Sequence, residues 1–228
     1  MTKARHLIIF DVDGTLVDSQ NDIVAAMTAA FSGVGATVPS RHEVLSIVGL
    51  SLDVAMARLA PELETAVRSE MVQGYKDAYV AIRARTGAAI SSPLYPGAAQ
   101  ILADLGKAPE YVLGVATGKS RRGLDKLIEA HNLEDVFLTQ QVADFHPSKP
   151  HPSMLLAAMA ETDIGPEHTV MIGDTSYDME MAQAAGIRAI GVNWGYHDRA
   201  KLVGACRIVD RFDELSEELD LLLSAEHE

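Results

Sequence analysis

His6-Leu7-Ile8-Ile9-Phe10-Asp11-Val12-Asp13-Gly14-Thr15-Leu16-Val17-Asp18-Ser19 opens as a short apolar run and then turns into a polar string rich in carboxylates. The run from His6 to Phe10 is too short for a helix and is β-rich, so it reads as a strand. Similar runs recur at Tyr111 to Ala116, Val136 to Leu138, Thr169 to Ile172, Arg188 to Val192 and Cys206 to Val209. Stretches of helical period separate most of them, as in Ala98, Ile101, Leu102 and Leu105. Strand alternating with helix predicts an α/β fold, a doubly wound parallel sheet. One stretch breaks the alternation. From Ser19 to about Arg85 only helical spacings occur, such as Leu63, Val67, Met71, Tyr75, Ala78 and Ile82. The expected organisation is a core of residues 1–16 and 89–228 with a small inserted helical cap at 17–88, entered again through the turn-rich Ser91-Ser92-Pro93-Leu94-Tyr95-Pro96-Gly97.

Composition narrows the function classes. The chain has 228 residues, 48% of them hydrophobic and 22% charged, and a chain of this length buries roughly 70% of its unfolded surface without help from disulfides. Its single cysteine, Cys206, cannot form an internal bridge. A reducing, cytoplasmic setting is expected, with Cys206 as a small buried apolar residue. The run Leu7 to Phe10 is too short to act as a signal peptide core or to span a membrane. The net charge of −13 repels nucleic acid and anionic lipid. It repels an anionic metabolite as well, so a phosphate ligand needs local positive charge.

In an open parallel sheet ligands sit at the carboxyl ends of the strands, and four strand ends here are unusual. At the first, Asp11 and Asp13 can turn both carboxylates toward one space, where a divalent cation offsets their repulsion; the alternative is a solvated turn. At the second, Gly114-Val115-Ala116-Thr117-Gly118-Lys119-Ser120 ends a strand in a hydroxyl and a glycine, making either an anion site or a plain helix cap by Thr117 or Ser120. Lys119, Arg121 and Arg122 then lie at the positive end of a helix dipole, unfavourable without an anion nearby; a solvated face accounts for the arginines. The third is Ser148-Lys149-Pro150, whose lysine alone reads as a surface residue. The fourth is Val170-Met171-Ile172-Gly173-Asp174-Thr175-Ser176-Tyr177-Asp178, where Asp174 and Asp178 face one space or Asp174 caps a helix.

Read together and in this order, the four strings resemble the motifs of the haloacid dehalogenase superfamily, over essentially the whole chain. Asp11 to Thr15 reproduce the first motif, Thr117 the second, Lys149 the third, and Asp174 with Asp178 the fourth. The resemblance implies a Rossmann-like core with a cap of the four-helix type. It also implies Asp11 as nucleophile and Asp13 as general acid and base. It further implies Mg²⁺ held by Asp11, the Asp13 carbonyl and Asp174, with Asp178 ordering that shell. Thr117, the Gly118 N–H and Lys149 would then hold the phosphoryl oxygens, and Lys149 would keep Asp11 ionised. An acid at Asp13 argues against dehalogenation, and Ile23, where the family's sugar-phosphate mutases carry a histidine, favours hydrolysis over mutation.

The stretch Asp13 to Ile23 and the Trp194-Gly195-Tyr196 string look most like the phosphoglycolate phosphatase branch, so the expected partner is a small phosphorylated metabolite, phosphoglycolate leading. A mutase with the same aspartyl-phosphate chemistry and a regulatory protein that keeps the fold are the alternatives. Val48-Gly49-Leu50-Ser51 is either a loop closing over the site or a bare turn between helices. Arg41, Arg83 and Arg85 either meet a substrate carboxylate or face solvent. His146 and His151 flank Lys149 without the helical spacing of a zinc pair.

Overall fold

The computed structural model describes residues 5–224, so the outermost residues of the two expected core segments lie outside it. Six strands, β1 (His6–Phe10), β2 (Tyr111–Thr117), β3 (Thr139–Val142), β4 (Thr169–Gly173), β5 (Arg188–Val192) and β6 (Arg207–Val209), form one sheet in the order β3-β2-β1-β4-β5-β6. Every neighbouring pair is parallel. The alternation of side chains along each strand builds two cores. Ile8, Phe10, Leu113, Val115, Val170 and Ile172 face one side, and Leu7, Ile9, Val112, Ala116 and Met171 the other. Helices α6 (Ala98–Lys107), α7 (Arg121–His131) and α10 (Leu215–Ser224) cover the first face; α8 (Ser153–Thr162) and α9 (Ser176–Ala185) cover the second. Ala98, Ile101, Leu102 and Leu105 are all buried, as their spacing requires.

The stretch without strands forms α1 (Gln20–Gly33), α2 (Arg41–Ser46), α3 (Leu52–Leu59), α4 (Thr65–Thr86) and α5 (Ala88–Ser91). Ile23, Met27, Phe31, Val44, Met56 and Met71 make a cluster of their own, which takes in Tyr177 from α9. The chain leaves for these helices and returns from them through two antiparallel segments. Val17 bridges Leu94, the Asp18 N–H donates to the Pro93 carbonyl at 2.9 Å, and the Tyr95 N–H donates to the Leu16 carbonyl at 3.0 Å.

Two expectations fail. The third strand lies at Thr139–Val142, directly after the apolar run Val136 to Leu138 rather than on it. Phe137 is a core residue before the strand begins, and Leu138 is exposed. The strand itself is polar because it lies at the sheet's edge and its buried polar groups are satisfied: Thr139 donates to Glu161 Oε2 at 2.6 Å and Gln141 to the same oxygen at 2.9 Å. Cys206 is exposed rather than buried. It precedes the other edge strand, where its N–H bonds the Ala189 carbonyl while its side chain has no layer to enter.

Candidate active site

The sheet order reverses beside β1: the chain runs from β1 to β2 and on to β3 on one side, then returns to β4 on the other. Side chains at the carboxyl ends of β1, β2 and β4 therefore share one crevice. Asp11 follows β1 with its N–H on the Ile172 carbonyl at 2.9 Å; Thr117 ends β2; Asp174 follows β4. All three are buried, and one carboxylate oxygen from each of Asp11, Asp174 and Asp178 falls within 4.8 Å of the others.

Lys149, read alone as a surface lysine, is 2% exposed. Its Nζ donates to Asp11 Oδ1 at 2.5 Å and to Asp178 Oδ1 at 2.7 Å. Asp178 Oδ2 accepts from the Thr175 N–H at 3.0 Å and the Thr175 hydroxyl at 2.7 Å, while the Asp178 N–H returns to that hydroxyl, a capping box that starts α9. The cap of this helix is thus Thr175, and Asp174 is free for the crevice. Asp174 accepts from the Thr15 hydroxyl at 2.9 Å and from the Tyr196 N–H at 2.8 Å. Gly14, with φ of +93°, passes so close that a Cβ there would lie 2.2 Å from Asp174 Oδ2.

Burial is the largest influence on Asp11 and raises its pKa from 3.8 to about 7; Lys149 pulls it down, and the Asp178 and Asp13 charges push it up again. Lys149 therefore acts in the expected direction, favouring the ionised carboxylate. Burial raises Asp174 well above the carboxylate range too, with Asp11 and Asp178 adding to it. One ammonium among three buried carboxylates leaves negative charge uncompensated. Asp11 Oδ2 is buried with no partner, Asp174 has one donor on each oxygen, and Asp178 has Lys149 on one oxygen and two donors on the other. An all-oxygen set with this spare acceptor capacity fits a hard divalent cation, held chiefly by Asp11 and Asp174, with Asp178 fixing Lys149 beside it.

Asp13 accepts from the Ser19 hydroxyl and, at 2.7 Å, from Lys119 Nζ. Burial lowers the Lys119 pKa, but the Asp13 carboxylate and Tyr79 outweigh it and leave it raised. The anion that the dipole argument demanded near Lys119 is thus Asp13. Arg121 instead bonds Asp125 and Gln140, and Arg122 is exposed. Ser120 caps α7 by accepting from the Gly123 N–H, which leaves the Thr117 hydroxyl to accept only the Lys119 N–H at 3.2 Å. Sequence reasoning missed Ser19 and the brace formed by Trp194 and Tyr196. The Tyr196 hydroxyl accepts from the Ser19 N–H at 2.9 Å, and Trp194 Nε1 donates to the Thr15 carbonyl at 3.0 Å. His146 lies off the site, on Ser153 and Gln141.

Val48 to Ser51 is more than a bare turn. A Cβ on Gly118 would lie 2.7 Å from the carbonyl oxygens of Gly49 and Leu50, and the Ser51 N–H donates to Ser148 Oγ at 2.8 Å. Just before it, the Ser46 carbonyl accepts from both Tyr177 Oη and His197 Nε2 at 3.0 Å. The loop closes one side of a cavity of about 520 Å³, floored by Asp11, Asp13, Thr117 and Gly118 and walled by α1 and α4. Of the three arginines considered, Arg41 bonds Gln20 and Asn21, Arg85 is exposed, and Arg83 lines this cavity.

The chain belongs to the haloacid dehalogenase-like hydrolases, a family that matches residues 8–192. It is a hydrolase, and several of its relatives are named phosphatases. It is 37% identical over 216 residues to the probable phosphatase IndB of Dickeya dadantii, covering 92% of each chain. It is 29% identical to the phosphoglycolate phosphatase of Vibrio vulnificus, covering 95% of this chain and 96% of that one. A solved haloacid dehalogenase-like hydrolase from Streptococcus pneumoniae superposes with a TM-score of 0.80 at 26% identity, over 94% of this chain and 98% of that one. Among the described residues no helix is long and apolar enough to cross a membrane.

Proposed function

We propose that this chain is a Mg²⁺-dependent phosphatase of small organic phosphate monoesters, with phosphoglycolate the first substrate to test, and that residues 17–88 act as a cap over the core. The observation that carries the reading is Asp11 Oδ2, a buried carboxylate oxygen with no partner at the floor of a cavity, beside Thr117 and Lys149. Such an oxygen attacks phosphorus without a general base. Its bond to phosphorus forms as the ester P–O bond breaks, and Asp13 gives a proton to the leaving oxygen. Asp13 then takes a proton from water, which attacks the aspartyl-phosphate, frees inorganic phosphate and restores Asp11. The Thr117 hydroxyl, the Gly118 N–H and the Lys149 ammonium bind the phosphoryl oxygens and stabilise the charge they share in the transition state. Mg²⁺, when bound by Asp11, the Asp13 carbonyl and Asp174, supplies further positive charge to those oxygens.

Ile23 lines the cavity as an apolar side chain, which offers no acid or base for passing a phosphoryl group between two hydroxyls. That favours hydrolysis over mutation. The test is phosphate release from a panel of small phosphates with and without Mg²⁺, repeated with Asp11→Asn. The substitution should abolish release while leaving the protein folded; comparable release would refute Asp11 as nucleophile.

A further inference from the structure

The cations in and beside the cavity are not equally satisfied. Lys119 and Lys126 line it paired with Asp13 and Glu129, Lys76 and Arg122 line it exposed to solvent, and Lys149 is held by Asp11 and Asp178. Arg83, on the wall contributed by α4, has Nε and Nη2 both buried without a hydrogen-bond partner. Its guanidinium lies over the face of Tyr79, 5.4 Å from Cζ to the ring centroid. Lys119 Nζ stands 5.4 Å from the same centroid. Arg83 and Lys119 therefore share the Tyr79 ring, and Arg83 lines the same cavity as Asp11 and Asp13.

A guanidinium that has given up water without gaining an acceptor carries the cost of two unmade hydrogen bonds. Arginine's planar fork matches a carboxylate or phosphate through paired N–H···O bonds, and such charge-assisted bonds strengthen in a dry pocket. The wall around it is apolar: Met27 and Val80 line the cavity, and Tyr75 stacks on Tyr79 with ring centroids 5.8 Å apart. A cavity of about 520 Å³ also exceeds what a two-carbon phosphate fills. We propose that Arg83 selects the substrate, by receiving a second anionic group on a phosphomonoester whose body lies along Tyr75 and Tyr79. A carboxylate is the first candidate for that group and a second phosphate the other. The proposal rests on the phosphatase reading above and goes beyond it in naming the recognising residue and the substrate class.

The test uses O-phosphorylated hydroxy acids of two to five carbons, each paired with the alkyl phosphate of the same length, and a sugar bisphosphate paired with its monophosphate. The readout is the ratio of kcat/KM within each pair, which is independent of the fraction of protein that is active. At the best length the wild type should prefer the doubly anionic member by about 10- to 100-fold, the worth of a charged hydrogen-bond pair. Arg83→Gln should bring that ratio to near one, mainly through KM, and Arg83→Lys should keep part of it. A preference confined to the bisphosphate pair would assign the second group as phosphate, and one confined to the acids as carboxylate. An unchanged ratio in Arg83→Gln, or no preference in the wild type, would overturn the proposal. Calorimetric titration with the corresponding non-hydrolysable phosphonates reads the same ratio without turnover. Absence of phosphate release would then refute the phosphatase reading while the titration still decides Arg83.

Discussion

Replacing Gly118 with alanine tests whether the loop from Val48 to Ser51 rests on the proposed phosphate site in the working protein. The added Cβ would stand 2.7 Å from the Gly49 and Leu50 carbonyl oxygens and 3.0 Å from the Gly49 carbonyl carbon. Gly118 is not among the residues with positive φ, so alanine suits the backbone and all the strain comes from that contact. To restore 3.4 Å, the loop must retreat by about 0.7 Å, against its anchors at Ser148 and at the doubly bonded Ser46 carbonyl. Overpacking of this kind costs about 1–3 kcal/mol, and a displacement of that size beside a reacting group costs on the order of 10- to 100-fold in kcat/KM. The Gly118 N–H is retained, so the loss reports the loop and not the proposed phosphate donor. Steady-state phosphate release and a thermal melt measure both effects. Gly106→Ala, whose methyl meets nothing within 4 Å, is the control. Wild-type kcat/KM and melting in Gly118→Ala would refute the placement of the loop.

Lys149→Met should destabilise the metal-free protein by about 3–5 kcal/mol in urea unfolding at pH 8, because Asp11 and Asp178 lose their shared ammonium; a variant as stable as wild type would contradict the buried pairing. The loss should shrink as pH falls and the carboxylates protonate. Asp11 carries a pH signature of its own. Its pKa rises from 3.8 to about 7 on folding, so between those values the folded state holds a proton that the unfolded chain has released, and stability falls as pH rises through that window. Metal-free Asp11→Asn lacks this term, so its stability relative to wild type should increase from about pH 4 to about pH 7; a difference flat with pH would show that Asp11 is not held protonated by burial.

Five of the six strands could be read from the sequence as short β-rich runs, four of them because they run between two layers and are mostly apolar. The edge strand Thr139–Val142 could not, since its Thr139 and Gln141 are paid for by Glu161, whose position only the packed α8 supplies. The site divides in the same way. Asp11, Thr117 and Asp174 announce themselves by following apolar runs. Lys149 and Lys119 carry no such mark: their partners lie 138 and 106 residues away in the chain, and only the sheet order brings them together. The arginines were the least legible. Arg41, Arg83 and Arg85 sit in equally helical surroundings, and what separates them is which face of the bundle looks into the cavity.

The turn that begins α9 and the berth of Lys149 share one carboxylate. Asp178 holds Thr175 with one oxygen and Lys149 with the other. Fraying of that first helical turn therefore takes away one of the two carboxylates that hold the ammonium and leaves it on Asp11 alone. A chain folded everywhere except here lacks one of the two partners that fix Lys149, so on the proposed mechanism its turnover should fall. On that reading turnover doubles as a sensor of local order, reporting on a single helical turn that bulk melting, dominated by the two large cores, would scarcely register.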